Sequence, residues 1–308
     1  MGLANARHPD GTPIALPGDA PFSARALTKL DGLAFDLPAD DPWVLGKGGA
    51  DHAYLDAAKD AWNNEAEWMD VLDRACPVYD LKAVERELYT WHWKPWLDRA
   101  KTVLDVGCGV GRFLVPLVAR GATVYGVDAD LRSLRRAAQH VMGMPGKVDL
   151  HWSSVHALPA VQVDTVIACE VLCYVPEVER ALAEIVARLK PGGALLLSME
   201  GRWGWALAQD AAPGSIAHAL VGDGIIDLPG EGWVHTWEDG PLTELLERAG
   251  LKVELMVPTH YVLDGPLEQV AGFVPPLEAL LDVEEACRAH PVWRPLNRIW
   301  TAVAVKPR

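Results

Sequence analysis

The sequence predicts an α/β protein built on a doubly wound, seven-stranded sheet with helices on both faces, preceded by an N-terminal helical cap. Short apolar segments of strand length alternate with helix-like segments from Thr102 onward. One of these strands runs directly into a glycine-rich turn. Half of the 308 residues are apolar, which is enough for a sizeable core.

The part of the chain before the sheet predicts two kinds of structure. Residues 1–50 are rich in Pro, Gly and Asp and predict extended chain, whereas apolar residues recur at helical spacing in 51–100. A helix is expected from Asp80 to near His92, before Pro95. The predicted division is an N-terminal extension and helical lid over 1–100, then one domain over 101–308 with insertions at about 201–240 and 259–297.

The first strand of the sheet predicts a ligand site at its end. The apolar segment Val103–Val106 is followed by Gly107, Gly109 and Gly111, each separated by one residue. Glycines allow the backbone to bend sharply and to approach a ligand closely. We expect unpaired N–H groups at the start of the next helix to form a polar floor for this bend. A nucleotide-like ligand is therefore predicted.

The details of this turn exclude two kinds of nucleotide site. A dinucleotide fingerprint, G-x-G-x-x-G, requires glycine at the position of Arg112. A P-loop requires a lysine after the glycines, and none follows here. On this motif alone, an ordinary strand–helix turn without a ligand remains an alternative.

The later elements follow the same alternation of strand and helix. The second strand ends at Asp128, a carboxylate that can accept hydrogen bonds from two ribose hydroxyls. Asp130 is the better candidate for the N-cap of the next helix. The remaining predicted elements are strands at Val148–Trp152, Asp164–Cys169, Ala194–Ser198, Leu251–Val257 and Ile299–Val305, a helix from Glu177 stopped by Leu189–Gly193, and a helix at Pro241–Gly250.

Four of these motifs, in this order, resemble the class I S-adenosylmethionine (SAM)-dependent methyltransferases of the small-molecule type. The glycine turn is similar to the family's D-x-G-x-G-x-G, and Glu170–Pro176 is similar to its E-V-L-x-H-V-P. The resemblance covers residues 101–200 well and implies SAM as the cofactor and an antiparallel last strand. Ser154 stands where the family commonly has an acid for the adenine amino group.

The resemblance also implies which residues bind the cofactor. Asp128 would bind the ribose, and the backbone of Val155 would contact the adenine. The implied cofactor-binding residues are Asp105, Gly107, Cys108, Gly109, Asp128, Ala129, Ser154, Val155 and Cys169.

The chemistry implied is in-line methyl transfer to a nitrogen, oxygen or carbon nucleophile of a small apolar or aromatic metabolite. A base is needed only if the acceptor loses its proton. Candidates for that catalytic role are His235, Tyr174 and His92, with His260 and Glu200 as outsiders. A non-catalytic partner subunit and an aminopropyl-type transferase remain alternatives.

Composition limits the partners. A net charge of −14 argues against nucleic acid, so a small-molecule acceptor is expected. No run of eighteen uncharged apolar residues predicts a membrane span, and no apolar signal core opens the chain. We expect a cytoplasmic protein and leave its oligomeric state open.

The cysteines and the tryptophans lead to two further expectations. Five scattered cysteines without a C-x-x-C pair predict reduced thiols and no metal site, although the spacing of Cys169 and Cys173 leaves a metal pair as the alternative. Twelve of the thirteen tryptophans lie outside residues 101–200. Some of them are expected to line an acceptor pocket, and the alternative is that each packs a helix.

Overall fold

The computed structural model describes residues 34–35, 69–128, 130–175, 177–207, 224–228, 232–267 and 274–308. Its strands are β1 (Ala34–Phe35), β2 (Thr102–Val106), β3 (Thr123–Asp128), β4 (Lys147–Trp152), β5 (Val163–Ala168), β6 (Leu189–Glu200), β7 (Ile225–Leu228), β8 (Gly232–His235), β9 (Lys252–Thr259) and β10 (Ile299–Val305). Its α-helices are α1 (Tyr79–Leu97), α2 (Leu114–Ala119), α3 (Leu131–His140), α4 (Val178–Arg188), α5 (Arg202–Ala206), α6 (Asp239–Arg248) and α7 (Leu277–Ala289).

The main sheet has the strand order β1-β4-β3-β2-β5-β6-β10-β9, and β7 and β8 form a separate hairpin. Strands β2 to β6 run parallel, whereas β10 is antiparallel to both of its neighbours. The predicted seven strands and the antiparallel last strand are confirmed, and the two-residue β1 adds to the edge. The carboxyl ends of β2 to β5 therefore meet at one edge, where ligands bind in such sheets.

Helices cover both faces of the sheet, as predicted. Strands β2 and β5 are almost wholly buried, as expected of parallel strands between two helical layers. One apolar cluster joins α1, α2 and α3 to one face, and a second joins α4 and α6 to the other. No helix among the described residues is both long and apolar enough to cross a bilayer.

Helix α1 departs from its prediction because it runs through Pro95 to Leu97. A proline inside a helix costs about 3 kcal/mol. Tertiary packing offsets this cost, since Trp93 is fully buried against the sheet and donates its indole N–H to the carbonyl of Ala302 at 3.2 Å. Trp91, whose carbonyl loses its hydrogen bond to residue 95, is 57% exposed, so water can replace the donor.

Helix α4 ends at Arg188, directly before the predicted stop at Leu189–Gly193. Strand β6 begins earlier than its predicted start at Ala194: residues 189–193 already belong to it, and Gly192 donates to and Gly193 accepts from the backbone of Lys306 at 2.8 and 2.9 Å. Helix α1 packs into the core of the sheet rather than apart from it. The division of the chain at residue 100 stays a prediction, since residues 1–33 and 36–68 lie outside the described residues.

Candidate active site

A cavity of about 650 Å³ opens at the carboxyl edge of β2, β3 and β5. Eight of the nine predicted cofactor-binding residues line it: Asp105, Gly107, Cys108, Gly109, Asp128, Ser154, Val155 and Cys169. The ninth, Ala129, lies outside the described residues. The sequence motifs from four separate strands therefore converge on one space.

The glycine turn needs glycine for two different reasons. Gly107 has φ +66°, and a Cβ there would lie 2.2 Å from Cγ2 of Val171. Gly109 has φ +52°, but a Cβ there would meet nothing within 4 Å. The first glycine thus permits close packing beneath the cavity, and the second leaves open space for a ligand beside the backbone.

The amides of this turn are paired within the protein. Gly107 and Cys108 donate to the carbonyl of Val127 at 2.8 and 3.0 Å, and Gly111 donates to the carbonyl of Cys108 at 2.9 Å. Gly109 donates to Oδ2 of Asp128 at 2.6 Å. These four amides precede the start of α2 at Leu114, so the expected floor of unpaired N–H groups at the helix start stays a prediction. A pyrophosphate would need unpaired donors in the turn, so the pairing of these four agrees with the exclusion of a dinucleotide.

Asp128 is fixed at the cavity by two backbone donors. Its Oδ2 accepts from Gly109, and its Oδ1 accepts from the N–H of Asp130 at 2.8 Å. Each carboxylate oxygen carries two lone pairs, so both can accept further bonds from a diol. Asp130 caps α3, as predicted, because its Oδ2 accepts from the backbone N–H of Ser133 at 3.3 Å, and it also accepts from the Ser133 hydroxyl at 2.7 Å.

Asp105 provides a buried hydrogen-bond acceptor in the lining of the same cavity. Its side chain is 2% exposed, and its Oδ2 has no hydrogen-bond partner among the described residues. Burial raises its pKa to about 7, while Arg112 opposes the shift and Asp128 adds to it. An unpartnered buried oxygen is costly unless a ligand donates to it.

Ser153 and Ser154, which follow β4, fix the next part of the cavity lining by hydrogen bonds. Oγ of Ser154 accepts from the N–H of His156 at 3.1 Å, and Oγ of Ser153 donates to the carbonyl of Ala157 at 2.7 Å. These bonds close a turn that presents Val155 to the cavity. We name the glycine turn 107–111, Asp128, Ser154 and Val155 together the glycine wall.

The lining of the cavity also carries charges that the sequence analysis missed. Lys82, Arg112 and Glu170 line it, and we name these three residues the charged wall. Glu85 lies behind them, 3.0 Å from Nζ of Lys82 and 2.5 Å from Nη1 of Arg112. Glu170 lies 3.4 Å from Nη2 of Arg112 and accepts from the hydroxyl of Tyr89 at 2.6 Å.

These ion pairs keep both acids charged. Burial alone would raise the pKa of Glu85, but Lys82 and Arg112 outweigh burial and hold the pKa well below its usual range. The pKa of Glu170 is lowered in the same way, mainly by Arg112. Glu170 has a left-handed backbone, φ +57°, and its N–H donates to Oγ of Ser198 at 2.7 Å.

Two groups of residues come into question as metal sites: the cluster around Glu85, and the pair Cys169 and Cys173. Among the described residues, one group of three possible ligands converges: Glu85, Glu170 and His260. Arg112 already pairs with both of its carboxylates, so a cation there would face a positive neighbour. Cys169 and Cys173 are free and buried, and burial raises the pKa of both thiols.

Comparison with known proteins agrees with this geometry. Residues 104–197 match the model of a methyltransferase domain. A ubiquinone biosynthesis O-methyltransferase of Dinoroseobacter shibae is 30% identical over 203 residues, covering 61% of this chain and 78% of the relative. A trans-aconitate 2-methyltransferase of an Azoarcus species is 32% identical over 228 residues, covering 69% and 82%. The chain is a class I SAM-dependent methyltransferase.

A solved structure shares the fold of this methyltransferase. The magnesium protoporphyrin IX methyltransferase of Synechocystis PCC 6803, with SAM bound, superposes with a TM-score of 0.51 at 15% identity, over 84% of this chain and 98% of that one. The residues present here fit SAM as the cofactor. The open space at Gly109 and the unpartnered Oδ2 of Asp105 are both features that a ligand would satisfy.

The three predicted catalytic residues of the methyltransferase lie in different places. Tyr174 lines the cavity, in the short helix at Leu172–Tyr174. His235 does not; its ring lies 4.4 Å from that of Trp237. His92 also lies away from the cavity, and burial, Arg288 and His260 lower its pKa to about 4. The structure thus brings one of the three to the cofactor residues.

The outsider Glu200 and the tryptophans lie elsewhere. Glu200 accepts from Nη1 of Arg298 at 2.7 Å and from the indole of Trp205, and burial raises its pKa to about 7. No tryptophan among the described side chains lines the cavity, and the expected aromatic acceptor pocket stays a prediction. Trp43, Trp62 and Trp68 lie outside the described residues, as does the side chain of Trp233.

Proposed function

We propose that this methyltransferase methylates an oxygen nucleophile of a small metabolite. The observation that carries the proposal is the cavity of about 650 Å³, which continues from the glycine wall to Tyr174 and Glu170. Small-molecule sites measure roughly 300–1,000 Å³. The relatives named above support the choice of oxygen, because one of them is an O-methyltransferase by name.

We assign different parts of SAM to the glycine wall and to the charged wall. We assign the ribose to Asp128 and the adenine to the turn that carries Ser154 and Val155. The amino-acid end of SAM carries a carboxylate and an ammonium group. Lys82 and Glu170 of the charged wall have the complementary charges, so we assign that end to them.

When bound, SAM supplies a methyl group on a positively charged sulfur. The residues of the protein then have to hold the acceptor in line with that group and exclude water. We assign the contact with the acceptor to Tyr174, the predicted catalytic residue that lines the cavity. Its hydroxyl can donate a hydrogen bond to the acceptor oxygen or accept one from it. The catalytic roles of His235 and His92 stay predictions without a place in this mechanism.

The net charge and the state of the cysteines support the expected class of acceptor and the expected cytoplasmic location. A net charge of −14 disfavours a nucleic-acid acceptor. The five cysteines are free in the structure, which is typical of a reducing compartment such as the cytoplasm.

A screen for formation of S-adenosylhomocysteine tests the proposal. The full chain is incubated with SAM and with matched small phenols, carboxylic acids and amines, and the product is measured by mass spectrometry. We expect turnover with oxygen acceptors and at least a tenfold lower kcat for Tyr174→Phe, with an unchanged Kd for SAM. Turnover with amines alone would contradict the oxygen assignment, and an unaltered Tyr174→Phe would contradict the role of that hydroxyl.

A further inference from the structure

A second cavity of about 220 Å³ adjoins the first on the side of α1. Its lining includes four basic side chains, those of Lys82, Arg86, Arg112 and His140, together with the ring of Tyr79. None of its described lining residues is acidic. Such a cavity is unexpected in a chain with a net charge of −14.

The spacing of these residues along α1 explains how they come together. Tyr79, Lys82, Ala83 and Arg86 are three or four residues apart, so they share one face of the helix. Lys82 and Arg112 line both cavities and form the boundary between them.

Three of the basic groups are held in position from outside the cavity. Glu85 binds both Lys82 and Arg112, but it is 2% exposed and lines neither cavity. Asp70 lies 3.0 Å from Nε2 of His140 in the same way. Carboxylates behind these three groups fix them and leave their remaining N–H donors for a ligand.

Arg86 is different, because it has no hydrogen bond or ion pair with any described residue. Glu85 and Asp70 offset the other three basic groups, whereas no carboxylate of the described residues forms an ion pair with the half-buried guanidinium of Arg86. The space is also too large for one water, since a water occupies about 30 Å³ of the liquid.

We propose that this second cavity binds a small oxyanion, either a phosphate or a carboxylate group. Arg86 is its specific ligand, with Lys82, Arg112 and His140 as further donors. Arginine and lysine together suit this chemistry, since guanidinium binds two oxygens at once and ammonium acts as a point charge. The site does not depend on the identity of the methyl acceptor.

Calorimetric titration of the full-length, SAM-free protein tests the proposal. Inorganic phosphate is titrated in one arm and malonate in the other, with sodium chloride adjusted to constant ionic strength. Saturable binding of phosphate but not malonate indicates a phosphate-bearing ligand, and the reverse indicates a carboxylate. Absence of saturable heat in both arms would overturn the proposal.

Variants then locate the binding. Arg86→Gln should raise the Kd for the bound anion about tenfold or more, the usual effect of losing one charge-assisted contact. Arg86→Lys should keep part of the affinity, and Arg248→Gln, the same charge change on the exposed face of α6, should leave it unaltered. The Kd for SAM should stay within twofold in all three. Equal weakening by Arg86→Gln and Arg248→Gln would mean nonspecific screening and would overturn the site.

Discussion

The two walls of the cofactor cavity are built by different means. Backbone hydrogen bonds between residues at the ends of neighbouring strands fix the glycine wall, and the bond from the N–H of Gly107 to the carbonyl of Val127 is typical. Ion pairs between distant segments fix the charged wall, and the pair of Arg112 with Glu85 is typical. The first wall depends on local shape and the second on charge. Substitutions and pH should therefore affect the two walls differently.

The largest effect is expected in the glycine wall from Gly107→Ala. The new Cβ would lie 2.2 Å from Val171 at φ +66°, so both packing and backbone are strained. We expect a loss of about 3 kcal/mol or more in the free energy of unfolding, measured with urea. Gly121→Ala is the matched control, since φ is +90° but nothing lies within 4 Å. It should cost about 1–2 kcal/mol, and equal losses would contradict the role of close packing.

In the charged wall, Glu85→Gln should cost about 3 kcal/mol, because it leaves the partly buried cations Lys82 and Arg112 without their buried carboxylate. The exposed neighbour Glu87→Gln should stay within about 0.5 kcal/mol. Urea unfolding at pH 7 measures both. A loss of the same size for Glu87→Gln would show that helix charge, rather than the ion pairs, is responsible.

The pH dependence of this pair has a definite sign. The folded pKa of Glu85 is lowered, so its contribution is present above its ordinary value of 4.5 and is lost as the pH falls below it. Wild-type protein should therefore lose more stability than Glu85→Gln on acidification from pH 5 to pH 3. Parallel pH profiles would contradict the ionised state of Glu85.

Asp128→Ala tests the ligand side of the glycine wall. Loss of two charge-assisted bonds to the ribose should raise the Kd for SAM about a hundredfold, measured by calorimetry. Asp149→Ala, an exposed acid on β4, should leave the Kd unchanged. The ribose assignment fails if the two variants bind SAM equally well, provided that their melting temperatures match.

The smallest effect concerns Asp105. Its folded pKa is raised to about 7, so its contribution to stability is present at low pH and is lost as the pH rises through 7. This group alone should lower the free energy of unfolding by about 1.4 kcal/mol between pH 6 and pH 8. Asp105→Asn should remove this pH-dependent loss in the free energy of unfolding. A similar loss caused by Glu200 should remain, because the pKa of Glu200 is also raised to about 7. An unchanged slope would contradict the raised pKa.

The sheet and the glycine wall could be predicted because their signals are short and local. Most strands contain a run of apolar or β-branched residues, of which Ile299–Val305 is an example, and the glycine turn directly follows Val103–Val106. The end of α1 could not be predicted, because burial of Trp93 and Leu97 offsets the cost of Pro95. Local rules fail where tertiary packing is stronger than backbone preference.

The charged wall was missed because its contacts join separate parts of the chain. Arg112 and Glu85 are 27 positions apart, and Tyr89 and Glu170 are 81 apart. Two signals were present in the sequence: the i, i+3 pair of Lys82 and Glu85, and a charged residue directly after the glycine turn. The histidine candidates rested on residue type alone, and residue type does not predict which side chains reach the cavity.

The self-paired amides of the glycine turn have a consequence for competition between ligands. Cells contain abundant ATP, which carries the same adenosine as SAM. Four acidic residues, Asp105, Asp128, Asp130 and Glu170, line this cavity, and the turn has used four of its backbone donors. A triphosphate tail lying along the glycine turn would meet the carboxylates of Asp128 and Asp130 and four amides that are already paired, whereas the cations of the cavity belong to the charged wall. The turn itself, unlike a P-loop, is thus a poor site for a polyphosphate, while the positively charged sulfur of SAM meets no such repulsion there.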